Sequence, residues 1–130
     1  MILLDTHVVV WLAFDEARIS KPAATAILKA RGNGEGLAVS DISLLELARV
    51  FNRERVRLVI SVESALAEVE GRVTVFPITG QISLRTLSLP AGYPEDPADR
   101  IIAATALVEG IPLITADREI RKSRALPTIW

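Results

Sequence analysis

Short apolar runs closed by turn residues alternate along this chain with longer stretches of helical period. That alternation is the mark of βα units on a parallel sheet, because a strand buried on both faces reads as continuous apolar residues while its covering helix repeats them every three or four. "ILL" at residues 2–4 is the first strand, and Val8 to Phe14 the first helix. "SKPAATAILKA" follows as a helix with Ser20 at its N-cap and Pro22 in its first turn, where a missing N–H costs nothing. "RGNGEG" breaks it, "LAVS" forms the second strand, and "DISLLELARVFNR" is a helix leading from that strand's carboxyl end. Ser61 to Glu70 predicts another helix, closed by Gly71. "VTVFPIT" is the third strand, before a helix from about Gln81 to Leu89 and the one sizeable irregular loop, "LPAGYPEDP". "ADRIIAATALVEG" is a helix with Gly110 at its C-cap, "IPLIT" the fourth strand, "ADREIRKS" a short helix and "PTIW" a short final strand. The pattern predicts an α/β fold, a three-layer α/β/α sandwich with a central parallel sheet of four to five strands, in a single domain over residues 1–130.

Composition agrees and narrows the chemistry. A chain of 130 residues can bury roughly two-thirds of the surface its unfolded form exposes, enough for one core. The formal net charge is -1, which argues against a non-specific polyanion binder but neither supports nor excludes nucleic acid, since a local basic face can coexist with it. With no cysteine there is no disulfide, thiolate zinc site or thiol nucleophile, and any metal must sit on oxygen or on the single histidine, His7. The N-terminus lacks a basic start before a long apolar stretch, and no run approaches the roughly 20 residues that span a bilayer; a cytoplasmic protein without a membrane partner is expected.

The acids carry the most information. Asp5 interrupts an apolar run, and a charge inside a buried element costs several kcal/mol unless paired or bound to metal, so Asp5 marks an element's end. In an open parallel sheet, ligands bind beyond the carboxyl ends of the strands. Asp5 follows the first strand, Asp117 follows the fourth, and Asp99 lies in the first turn of the helix that leads back into that fourth strand. Glu46 is the single acid of the second turn in a helix apolar nearly all round, so it either pairs with Arg49 or Arg53 or turns into the same site. Two like charges about 4 Å apart repel by roughly 4 kcal/mol at an effective dielectric near 20, so such a cluster needs protons or a cation. Mg²⁺ or Mn²⁺, one ion or two, answers that need on oxygen ligands and points to phosphoryl-ester hydrolysis. Local readings stand beside this one: Asp96 caps a helix with Asp99 three residues on, Ser43 and Glu46 have capping-box spacing, and Asp5 and Asp117 each precede a helix.

"LLDTH", "SLLELARV", "EDPADRIIAATALVEGIPLITAD" and the terminal "W" together resemble the PIN-domain ribonucleases, and among them the VapC-type toxins of bacterial toxin–antitoxin pairs, over essentially the whole chain. The resemblance implies an acidic tetrad at Asp5, Glu46, Asp99 and Asp117, with Mg²⁺ or Mn²⁺ held chiefly through Asp5 and Asp99 and the cluster completed by Glu46 and Asp117. Asp96 matches a frequent but less central position. It further implies endonucleolytic cleavage of RNA, homodimerisation, and inhibition by a cognate antitoxin whose tail covers the groove. Two features depart from the family pattern: Ala98 replaces the aromatic of the common "DPFDR" form, and "RALPTIW" lacks a frequent tyrosine.

Other residues have two readings each. His7 is a general base or ligand, or a packed neighbour of Asp5. Thr6 and Thr115 could orient carboxylates or a water, although threonine is ordinary at strand ends. "GNGEG" lacks the G-K-[ST] ending of a phosphate loop and reads as a turn. Arg49 and Arg53, with Arg55 and Arg57 beyond, and Arg118 and Arg121, with Lys122 and Arg124, either line the approach of an RNA backbone or form solvated faces interleaved with Glu54 and Glu119. An aspartyl phosphatase wants a second aspartate where this chain has His7, and a receiver domain wants an acceptor aspartate after the third strand; neither is present. A catalytically silent PIN-like module that binds RNA or protein is the remaining alternative.

Overall fold

Strand β1 (Ile2–Leu4) is buried on both faces and stands at the centre of the sheet. The computed structural model describes residues 1–130, in which β1 leads to α1 (Thr6–Phe14) and α2 (Lys21–Gly32), then β2 (Leu37–Ser40), α3 (Asp41–Arg53), α4 (Val62–Arg72) and β3 (Thr74–Phe76). The second half adds α5 (Gly80–Thr86), α6 (Pro97–Glu109), β4 (Leu113–Ile114), α7 (Arg118–Ser123) and β5 (Thr128–Ile129). All five strands are parallel in the order β3-β2-β1-β4-β5. Strand alternation sorts the core into two layers, since successive side chains point to opposite faces. Ile2, Leu4, Leu37, Val39 and Ile114 join Val8, Val9, Ile27, Leu47 and Phe51 under α1 to α4. Leu3, Ala38 and Leu113 join Ile102, Ala103, Ala106 and Ile120 under α6 and α7. The result is the expected three-layer α/β/α sandwich.

Strand order is what positions a site. The chain leaves β1 for β2 and β3 on one side, then returns to place β4 and β5 on the other. The order therefore reverses between β1 and β4, and the carboxyl ends of those two strands open a crevice.

Several boundaries differ from those read along the chain. Helix α1 starts at Thr6 rather than Val8, because the Asp5 side chain accepts the Thr6 N–H and caps the helix there. Helix α4 is not closed by Gly71: it runs through Gly71 to Arg72 and gives way directly to extended backbone at Val73, and the left-handed glycines are Gly34, Gly36 and Gly110. Strand β3 has three residues, since Pro77 offers no N–H and the next amide, Ile78, donates to the Asp41 carboxylate at 3.2 Å. Helix α5 ends at Thr86 instead of Leu89. Gly110 does terminate α6, with φ of 67°, in the region where a Cβ is disfavoured.

A candidate metal-binding acidic cluster

At the crevice Asp5 is 6% exposed, and both of its oxygens are engaged. Oδ1 accepts the Thr6 backbone N–H at 2.8 Å, and Oδ2 accepts the Thr115 hydroxyl at 2.7 Å. The Thr115 oxygen in turn accepts the Asp117 N–H at 3.1 Å. One hydroxyl thus ties the end of β1 to the turn after β4 and holds two acidic residues in register. Asp117 also caps α7, taking the N–H groups of Glu119 and Ile120 on Oδ1 at 2.8 and 3.1 Å.

Glu46 pairs with neither Arg49 nor Arg53. Its Oε1 accepts the Thr6 hydroxyl at 2.7 Å, so α3 is fastened to the start of α1. Ser43 Oγ lies 2.9 Å from the same Thr6 oxygen; a hydroxyl has one proton, and with Thr6's committed to the carboxylate, Ser43 is the donor in that contact. Ser40, not Ser43, caps α3. Asp96 caps α6 by accepting the Ala98 N–H at 2.8 Å, and this leaves Asp99 in the first helical turn, half-buried.

Asp99 shows that these acids share one field. Its carboxyl is pushed up to about 7, first by burial and then by the negative charges of Asp5, Asp96, Asp117 and Glu46. Asp5 is also raised, by burial above all, with the Thr115 and Thr6 hydrogen bonds and His7 pulling the other way and Asp117 adding to the rise. No ion pair balances this charge: the ion pairs of the chain are the N-terminus with Glu35, Arg57 with Glu54 and Arg72 with Glu68. The side chains as they stand do not gather three carboxylates round one point. Mg²⁺ ordinarily takes one or two carboxylates directly and keeps waters. An all-oxygen donor set with uncompensated negative charge therefore fits a hard divalent ion bound by few direct ligands, and does not fit a ready-made cage.

The remaining residues singled out in the sequence fall into place unevenly. His7 is exposed on the first turn of α1, close enough for its charge to act on Asp5. Arg49, Arg53, Arg118 and Arg121 are exposed and free of ion pairs. Tyr93 is a residue that sequence reasoning missed. This one tyrosine of the chain is 2% exposed, donates its hydroxyl to the Asp99 backbone carbonyl at 3.3 Å, and has its own ionisation pushed up by burial and then by Asp99, Asp5 and Asp117. Its one visible signal is an aromatic ring inside an otherwise small and proline-rich loop. A separate groove of about 460 Å³, lined largely by apolar residues of α1, α4 and the turn after α3, contains none of the five acids.

A parallel sheet whose order reverses beside a group of unpaired carboxylates defines a class, and the chain belongs to the PIN-domain family, whose model matches residues 2–126. Within it, the chain is 40% identical to Ribonuclease VapC22 of Mycobacterium tuberculosis (strain ATCC 25618 / H37Rv) over 131 aligned positions, covering 99% of this chain and 98% of that protein. Two solved structures share the fold. VapBC2 from Rickettsia felis, bound to a DNA fragment from its promoter, superposes with a TM-score of 0.74 at 19% identity over 98% of this chain and 97% of its own. A toxin–antitoxin complex from Klebsiella pneumoniae gives 0.72 at 19% identity over 100% and 97%.

Proposed function

We propose that this chain is a metal-dependent endoribonuclease and the toxin of a VapBC-type toxin–antitoxin pair. The observation that carries the chemistry is the set of acids around Asp99, drawn from four separate segments and engaged in no ion pair. The 40% identical relative bears the name of a ribonuclease, which supports RNA as the substrate. Asp5 and Asp99 are assigned as the principal ligands of Mg²⁺ or Mn²⁺, one ion or two, with Glu46 and Asp117 completing the cluster directly or through waters. When bound, such an ion supplies Lewis acidity at the phosphate and a water acidic enough to act as nucleophile near neutral pH.

The chain's own residues do the positioning. Thr115 fixes one oxygen of Asp5 while leaving lone pairs on both. Thr6 holds Glu46 against rotation away from the crevice. The Asp117 carboxylate is anchored through Oδ1, which leaves Oδ2 free to accept from a metal-bound water. Arg49, Arg53, Arg118 and Arg121 are assigned to the RNA backbone, whose binding should then weaken with salt. Solved neighbours that are toxin–antitoxin complexes support partnership with an antitoxin, and a homodimer is part of the same reading; co-purification and light scattering test those two.

Incubating the purified protein with structured RNA tests the core of the proposal. Cleavage is expected with Mn²⁺ and none with EDTA, and Asp5→Asn or Asp99→Asn should lower the rate by more than about 100-fold, beyond the usual effect of an outer-shell change. Undiminished cutting in EDTA would exclude the metal chemistry. A folded protein that binds RNA but never cuts it with Mn²⁺ would instead be the silent binding module.

A further inference from the structure

Both tryptophans of the chain lie in one surface strip that the acidic cluster does not use. The Trp11 and Trp130 rings are 5.7 Å apart and inclined at 52°, and His7 stands 6.2 Å from Trp11 on the same face of α1. The Arg18 guanidinium lies over the Trp11 ring at 4.5 Å from its centre. The tryptophans are half-buried, whereas His7 and Arg18 are exposed. Core packing accounts for the inner face of the Trp130 indole, which packs against the apolar layer under α1. It does not account for an exposed imidazole and an exposed guanidinium beside them. Arg18 pairs with no carboxylate, unlike Arg57 and Arg72.

The strip is continuous with the acids. Helix α1, which carries His7 and Trp11, is capped by Asp5 itself. Trp130 directly follows β5, whose Ile129 carbonyl accepts the Thr115 N–H at 3.3 Å, and Thr115 is the residue that holds Asp5. A strand with one phosphate at the carboxylates would thus pass its neighbouring nucleotides along α1. We propose that His7, Trp11, Trp130 and Arg18 form a subsite for unpaired RNA bases next to the cut phosphate, with stacking on the indoles and Arg18 moving from the ring to a phosphate. This rests on the endoribonuclease reading and deepens it. Aromatic rings with an uncommitted guanidinium suit the π-faces of single-stranded bases and the charge between them. The exposed aliphatic surface that would suit a protein partner lies elsewhere, at Val56, Val59, Leu84 and Leu87.

Because the two indoles are the chain's only ones, tryptophan emission reports this strip alone. The measurement is a titration of the Asp99→Asn protein, which leaves the strand uncut, with a short unstructured RNA in Mg²⁺ and with the same backbone lacking its bases. The RNA should quench the emission and the abasic strand should not. Adding Trp11→Leu should weaken the dissociation constant about 5- to 150-fold, the equivalent of one lost stacking contact, and Trp11→Phe should restore part of it. Arg18→Gln, a surface change that leaves the core intact, should weaken binding and reduce the salt slope by about 1. RNA that binds without altering emission, or that binds the Trp11→Leu and Arg18→Gln proteins as tightly as the parent, overturns the proposal, as does a strip silent to RNA and covered only in an antitoxin complex. If the wild-type protein cuts RNA and the strip variants cut it equally well, the endoribonuclease reading survives and this one fails; if it neither binds nor cuts RNA, both fail.

Discussion

Asp99 is where the conflict of charges is most concentrated. An aspartyl side chain titrates at 3.8 without perturbation, and here burial and four neighbouring acids raise it to about 7. Between those values the native state keeps a proton that the unfolded state has lost, so stability falls with rising pH across that window. The contribution is fully present below about pH 4 and gone once pH has passed about 7. Metal-free protein should therefore melt higher at pH 6 than at pH 8. Asp99→Asn should flatten that difference and raise the melting temperature at pH 8 by about 3–5 °C, the shift that roughly 1 kcal/mol produces in a domain of this size. Thermal melts in EDTA at the two pH values check it; a variant less stable than wild type at pH 8 would contradict the account of a crowded, cation-free cluster.

Helix α6 shows how an element and a site share residues. Asp96 caps it through the Ala98 N–H, Pro97 begins it, and Gly110 ends it in the left-handed region, so both ends are specified locally. Yet Asp96 also adds negative charge beside Asp99. The two effects oppose each other, and asparagine separates them because it caps as well as aspartate while carrying no charge. Asp96→Asn should leave metal-free stability unchanged or improved, and Asp96→Ala should be about 1 kcal/mol less stable than Asp96→Asn. Denaturant titrations of the two variants read this difference directly. Equal stability would mean that the Ala98 hydrogen bond contributes nothing net.

At the scale of the whole molecule, the proposed divalent ion would act on the fold as well as on the reaction. The acids come from the ends of β1 and β4 and from α3 and α6, which lie on both faces of the sheet. An ion that binds only the native arrangement stabilises all of them together, by about 2.7 kcal/mol at a hundredfold excess over its Kd. Mn²⁺ at pH 8 should thus raise the melting temperature of the wild type by several degrees and have far less effect on Asp99→Asn. A calorimetric scan with and without Mn²⁺ decides it, and an unchanged wild-type transition would remove the metal from the proposed function.

Periodicity by itself determined the fold class, the order of strands and helices, and the caps at Ser20 and Gly110, because each depends on a few consecutive residues. It also placed Asp5 and Asp117 at strand ends, although it did not show that Asp5 stays buried there. The limits of β3 and α4 were not legible, since Pro77 and the Asp41 carboxylate truncate one and continuous helical backbone through Gly71 extends the other. Only the tertiary structure decided that β4 lies beside β1, and with it the reversal of strand order that makes the crevice. It likewise decided that Thr115 reaches Asp5 across 110 residues of chain, that Thr6 rather than an arginine engages Glu46, and that Trp130 meets Trp11. Local sequence sets backbone conformation within a turn or two; contacts between distant residues arise only when the two apolar layers bury themselves on the sheet and fix where every strand ends.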